Sequence, residues 1–234
     1  MRDDLSEFLA GRGASATRPM LGLTLLLVED SRFASEAIRM MCLRSGARFR
    51  RADCLVSAAR HLQTYRPAVV IADLGLPDGS GLDLIRQLSV VHPRIPAIIA
   101  TSGDPGLAGA ALAVGADAFL AKPLESLAVF QRTVLGALPS ARIEVAADPE
   151  PAGLRPDLLA LRDDLVHAAD MLGQHPDAAK RRYLSRFLSG LALGAHDAAL
   201  AAAAADLGRD GAGDASVGRL AGLVRERLAA QDAI

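Results

Sequence analysis

The chain has 234 residues, 51% of them hydrophobic and only 3% aromatic, with no Trp and a formal net charge of −1. Domains usually hold roughly 100 to 150 residues, so this length fits one ordinary domain and a smaller one, packed by Leu, Val, Ile and Ala. The near-zero charge excludes the overall basic excess of a chain that grips nucleic acid by its phosphates, so protein partners are expected and a duplex is not.

The N-terminal stretch MRDDLSEFLAGRGASATRP carries acids where a secretory signal carries basic residues, and it lacks an apolar core of useful length. Residues 1–20 therefore read as an extension before the first domain. The apolar run Leu21 to Val28 is far shorter than the roughly 20 residues that cross a bilayer, so it reads as a strand and no membrane association is expected. Cys42 and Cys54 lack CxxC spacing and read as reduced structural thiols, which points to the cytoplasm.

From Leu23 the chain alternates strand and helix patterns. LTLLLV precedes a helix over 31–44, RFRRAD a helix over 56–65, and AVVIAD a helix over 81–91; AIIAT precedes one over 107–114, and AFLA one over 125–138. Such alternation predicts a five-stranded parallel sheet with right-handed crossovers and helices on both faces. Leu25 to Val28, Val69 to Ala72 and Ile98 to Ala100 are apolar without alternation, as strands covered on both sides should be, whereas the alternating, charged RFRRAD fits an edge.

The pattern stops after Leu138. PSARIEVAADPEPAGLRP, with four prolines among small and acidic residues, reads as a linker over 139–156, so the first domain spans 21–138. A small all-α region over 157–234 is expected next, with helices at 157–172, 177–193, 196–207 and 215–230. No internal repeat is visible.

In a doubly wound parallel sheet, ligands bind at the carboxyl ends of the strands. Glu29-Asp30 ends the first strand, Asp73 the third, Thr101-Ser102 the fourth and Lys122-Pro123 the fifth. The strand order 2-1-3-4-5 makes the first and third strands neighbours and gathers the three acids. Clustered carboxylates repel one another, and a hard divalent cation bound through oxygen is the simplest way to keep them ionised, which makes Mg2+ the expected cofactor.

The Glu29-Asp30 pair, Asp73 with Pro77 four residues on and Gly81 beyond, Thr101 followed by Ser102, and GADAFLAKP together resemble the receiver domain of two-component response regulators, the CheY-like, flavodoxin-like fold. The resemblance covers about 23–138. It implies that Asp73 is the phosphoacceptor for a sensor histidine kinase or a histidine phosphotransfer protein. It also implies that Asp30 and Asp73 ligate Mg2+ directly, Glu29 through water and Gly75 through its carbonyl. Thr101, Ser102 and Lys122 would contact the phosphoryl group, Phe119 would act as the aromatic switch, and the Lys122-Pro123 peptide would be cis. Such a protein is a phosphoacceptor switch rather than an enzyme with a substrate of its own. Gly75 and Gly103 leave bare two positions that carry side chains in many receivers, so a site open to water and small phosphodonors is expected.

The C-terminal region matches no output module by its residues. From Pro151 to Ile234 it has ten Lys or Arg against eleven Asp or Glu, which argues against a DNA-binding regulator, the third option for the output. The expected output is a phosphorylation-gated interaction with a protein partner. The alternative is a phosphorelay intermediate: Leu158, Leu161, Leu165, Ala169 and Leu172 form an apolar stripe, leaving His167 on the opposite side, where a phosphotransfer module carries its histidine. The Lys usual three residues later is Asp170 here. The next helix sets Tyr183, Leu184, Phe187, Leu188 and Leu191 apart from a basic face of Arg181, Arg182 and Arg186, which is either solvated or a docking surface for an acidic partner. The Ala-rich third helix allows close packing within the bundle or between the subunits of a homodimer.

Overall fold

The structure, a computed structural model, describes residues 17–139, 157–209 and 213–231. Most of the expected N-terminal extension and linker therefore lies outside the described residues. The packed chain begins before residue 21, because Met20 is fully buried and its N–H donates to the Ser45 carbonyl at 2.9 Å.

Five strands, β1 (Thr24–Val28), β2 (Arg48–Ala52), β3 (Val69–Asp73), β4 (Ala97–Ser102) and β5 (Ala118–Ala121), form one parallel sheet in the order β2-β1-β3-β4-β5. The crossover helices are α1 (Arg32–Arg44), α2 (Leu55–Thr64), α3 (Gly81–Val90), α4 (Ala108–Ala113) and α5 (Leu127–Gly136). All of β3 and β4 is buried, whereas β2 alternates and lies at the edge. One face of the sheet sets Leu26, Val70 and Ile98 against Leu84 and Ile85 of α3; the other sets Leu25, Ile71 and Ile99 against Ile38 of α1 and Phe130 of α5.

A short antiparallel pair, Gly75–Leu76 with Gly79–Ser80, lies between β3 and α3 and is an addition to the expected elements. Asp78, at its turn, accepts from the Leu55 and Val56 N–H groups at 2.9 and 3.0 Å, so it caps α2 as well as turning the chain. Gly81 lets α3 start against the preceding strand, since a Cβ there would lie 2.0 Å from the Asp73 carbonyl oxygen.

Four helices follow: α6 (Leu158–Gly173), α7 (Ala178–Gly194), α8 (Ala198–Leu207) and α9 (Asp214–Gln231). Their bounds fall within two residues of those read from periodicity and caps, and Asp157, Asp177 and Asp197 cap the first three. The apolar stripe expected on α6 holds except at its first residue: Leu165 and Leu172 are buried and Leu161 and Ala169 pack partly buried against the same core. Leu158 is 57% exposed, and the buried residues are Ala160, Asp164, Leu165, Ala168 and Leu172. Because α6 packs against both α9 and α1, it also buries a second strip, which includes an acid.

Phe33 of α1 belongs to the core of these four helices, together with Leu165, Leu188 and Leu191. The sheet and the C-terminal helices thus meet in a packed interface.

Candidate functional site

Register builds the site. Val28 pairs with Ala72, so Glu29 and Asp73 leave the sheet side by side; Asp73 pairs with Thr101, and Ser102 with Ala121, which puts Lys122 at the same end. Two-sided burial drives these strands through the core, and their carboxyl ends are where polar groups can gather.

Glu29, Asp30 and Asp73 each bring a carboxylate oxygen within 4.8 Å of the others. Lys122 Nζ lies 3.1 Å from Asp73 Oδ1 and 2.5 Å from Glu29 Oε2, with only 11% of its side chain exposed. The second contact is a close ion pair between two buried groups. The Gly75 N–H donates to Asp73 Oδ2 at 3.3 Å, and Arg51 donates to the Glu29 and Asp30 carbonyls, fixing the loop that carries the acid pair.

Burial, helped by the charges of Asp73 and Asp30 and opposed by Lys122, pushes the Glu29 carboxyl up to about 8. Burial also raises Asp30, against the hydrogen bond from Tyr183. At Lys122 burial disfavours the ammonium, but Asp73 and Glu29 outweigh it and raise the group. One cation among three acids leaves an excess of negative charge. An all-oxygen set that close, carrying more acids than the facing ammonium offsets, fits a hard divalent cation such as Mg2+.

The expected switch residues lie around this cluster. Thr101 is fully buried, and its hydroxyl donates to the Leu120 carbonyl at 2.8 Å. Ser102 Oγ accepts from the Asp104 N–H at 3.1 Å. Phe119 is half-buried against the core face shared with α3, and Lys122-Pro123 is cis. His167 is exposed on α6, its ring edge-on to Phe187 with centroids 5.9 Å apart.

The bare positions at Gly75 and Gly103 do not leave the site uncovered, because α7 lies over it. Arg186, Phe187, Gly190 and Leu191 line the same pocket as Glu29, Asp73 and Lys122, and Asp73 is only 7% exposed. The bare positions are filled from α7: a Cβ on Gly75 would lie 3.7 Å from Arg186 Cβ, and one on Gly103 would lie 3.5 Å from Leu193 Cδ1. Tyr183 donates its hydroxyl to Asp30 Oδ2 at 2.5 Å. Asp164 accepts from Ser31 Oγ at 2.7 Å and from the Arg32 and Phe33 N–H groups at 3.0 Å each.

Asp164, Tyr183 and Arg186 were not legible as site residues. The one available signal was Tyr183, one of two tyrosines in the chain, at the polar edge of an apolar stripe.

Residues 25–133 match the response regulator receiver domain family. The KDP operon transcriptional regulatory protein KdpE of Escherichia coli is 30% identical over 142 residues, covering 61% of this chain and 59% of that protein. The transcriptional regulatory protein CreB of the same species is 35% identical over 115 residues, covering 47% and 48%. The chain thus spans about half the length of these curated relatives. Among solved structures, the receiver domain of a signal transduction histidine kinase from Syntrophus aciditrophicus is 27% identical, with 54% of this chain and 100% of that one covered and a TM-score of 0.46. The receiver domain of the sensor histidine kinase PA1611 from Pseudomonas aeruginosa, which has a magnesium ion coordinated in its active-site cleft, is 28% identical, with 51% and 99% covered and a TM-score of 0.46.

Proposed function

Because residues 25–133 form a response regulator receiver domain, we propose that Asp73 accepts a phosphoryl group from the phosphohistidine of a histidine kinase or histidine phosphotransfer protein, and that this event switches the protein interactions of the C-terminal helices. The observation that carries this reading is the placement of Asp73, 3.1 Å from the Lys122 ammonium and beside Glu29 and Asp30 at adjacent strand ends.

A carboxylate is already ionised at neutral pH and needs no activating base. An Asp73 oxygen attacks phosphorus, the bond from phosphorus to the donor nitrogen breaks, and the departing imidazole keeps that electron pair and takes a proton from solvent. The product is an acyl phosphate. Phosphoryl transfer depends chiefly on alignment and on cations that offset charge on the equatorial oxygens. Lys122 supplies one such cation on the Asp73 side, and Thr101 and Ser102 bring hydroxyls to the neighbouring strand end. Mg2+, when held by Asp30, Asp73 and the Gly75 carbonyl with Glu29 behind them, supplies the second positive charge. Hydrolysis of the acyl phosphate resets the switch.

The test is labelling of the full chain from acetyl phosphate with and without Mg2+, beside Asp73→Asn. One hydroxylamine-labile phosphoryl group per chain is expected, dependent on Mg2+ and absent from the variant. Equal labelling of Asp73→Asn would overturn the assignment.

A further inference from the structure

The C-terminal helices do not merely follow the receiver; one of them closes its phosphoacceptor site. The seat of α7 has an apolar part, with Phe33 of α1 in the helical core, and two polar parts, Asp164 on the first turn of α1 and Tyr183 on Asp30. A carboxylate capping three donors and a hydroxyl on an acid of the cluster are specific, directional contacts, and each ties the helices to the residues that follow β1. Arg186 stands at the mouth of a cluster of three acids and one lysine, so the charge of α7 complements what it covers. The same helix fills the space left by the missing side chains of Gly75 and Gly103.

The cavity that remains between α7 and Asp73 is about 50 Å³. A water occupies roughly 10–15 Å³ on that measure, so the space suits a few water-sized groups. A phosphohistidine carried by another protein cannot reach Asp73 without bringing its own backbone to where α7 lies. In-line attack requires phosphorus within near-contact distance of the Asp73 oxygen.

We propose that α7 and the phosphodonor compete for one surface of the receiver, α7 acting as a lid latched by Tyr183 on Asp30 and by Asp164 on α1. This rests on the reading of Asp73 as phosphoacceptor. Phosphoryl transfer then needs the lid lifted, and lifting it bares Tyr183, Phe187 and Leu191, the face through which the helices would signal. Because Asp30 is both the latch acceptor and an expected Mg2+ ligand, removal of the Tyr183 hydroxyl favours metal entry and lid opening together.

Removal of both latches tests the lid. The full chain carrying Asp164→Ala and Tyr183→Phe, with Asp73, Lys122 and Gly75 intact, would be labelled with acetyl phosphate and Mg2+ beside wild type, with hydrogen exchange in α7 followed in both. Labelling several-fold faster in the double variant, with faster exchange in α7, is expected. Unchanged exchange in α7, or faster exchange with an unchanged labelling rate, would overturn the lid. Absence of label from wild type and variant alike would instead overturn the phosphoacceptor reading itself. In parallel, Tyr183→Phe should bind Mg2+ several-fold more tightly by calorimetric titration and speed hydrogen exchange in α7; unchanged affinity and exchange would remove Tyr183 as the latch.

Discussion

The Asp164 carboxylate accepts the Ser31 hydroxyl at 2.7 Å, joining a helix of the C-terminal region to the residue that follows the acid pair. Ser31 is itself the N-cap of α1, so one carboxylate secures both the cap and the Arg32 and Phe33 N–H groups beyond it. Asp164→Ala leaves these donors without that partner and should destabilise the full chain by about 1–2 kcal/mol, the range for a lost helix cap. Urea denaturation measures this, and faster hydrogen exchange at Arg32 and Phe33 should accompany it. No change in either would mean that the contact is incidental.

Much of the receiver was legible because its strands are buried on both faces: Leu25 to Val28 and Val69 to Ala72 show no alternation, and such runs give strand positions and ends directly. The acids and Lys122 stand at those ends, so their gathering followed from strand order alone. The seating of α7 was not legible, because each residue that builds it has an ordinary local role. Phe33 is an apolar residue of an amphipathic helix, Asp164 lies in a charged turn of α6, and Arg186 sits on a basic face. The glycines at 75 and 103 misled in a definite way: a missing side chain signals space, and the occupant came from more than 80 residues along the chain.

Lys122 is a buried cation paired with Asp73 and Glu29. Lys122→Ala leaves three close carboxylates without it, and breaking a buried pair costs roughly 3–5 kcal/mol. The variant should melt well below wild type in metal-free buffer, and Mg2+ should recover more of its stability than it adds to wild type. Thermal melts with and without Mg2+ check this; a variant as stable as wild type without metal would mean that Lys122 offsets no repulsion.

Asp197 caps α8 through the Leu200 N–H at 3.0 Å and holds Arg227 of α9, with Oδ2 2.6 Å from Nε. The hydrogen bond from Arg227 is the main cause that holds its carboxyl below the usual range. A depressed acid contributes stability above its unfolded value, near pH 4, and that contribution fades as pH falls through the folded value. Asp197→Asn keeps a capping side chain but loses the charge. Its urea midpoint should lie below wild type at pH 6, and the gap should narrow as the pH falls below the unfolded value near 4; parallel profiles down through that pH would contradict the assignment.

Phe33 ties the two parts of the molecule through apolar contact. It leaves α1 of the receiver, is 9% exposed, and packs in the core with Leu165, Leu188 and Leu191, while a Cβ on Gly194 would lie 2.9 Å from its Cε1. That absence of a side chain at Gly194 is what lets the ring enter. Truncation to Ala removes the ring and leaves a cavity at the junction, a change that costs roughly 3–5 kcal/mol in a well-packed core. The loss falls on the interface rather than on either core alone, so Phe33→Ala should separate the unfolding of the helices from that of the sheet. Calorimetry should show one broad transition resolving into two, the helical one at lower temperature. Because the lid would then be held by its polar contacts alone, the same variant should also take label from acetyl phosphate several-fold faster than wild type. A single unshifted transition with unchanged labelling would show that the ring contributes nothing to the seating of α7.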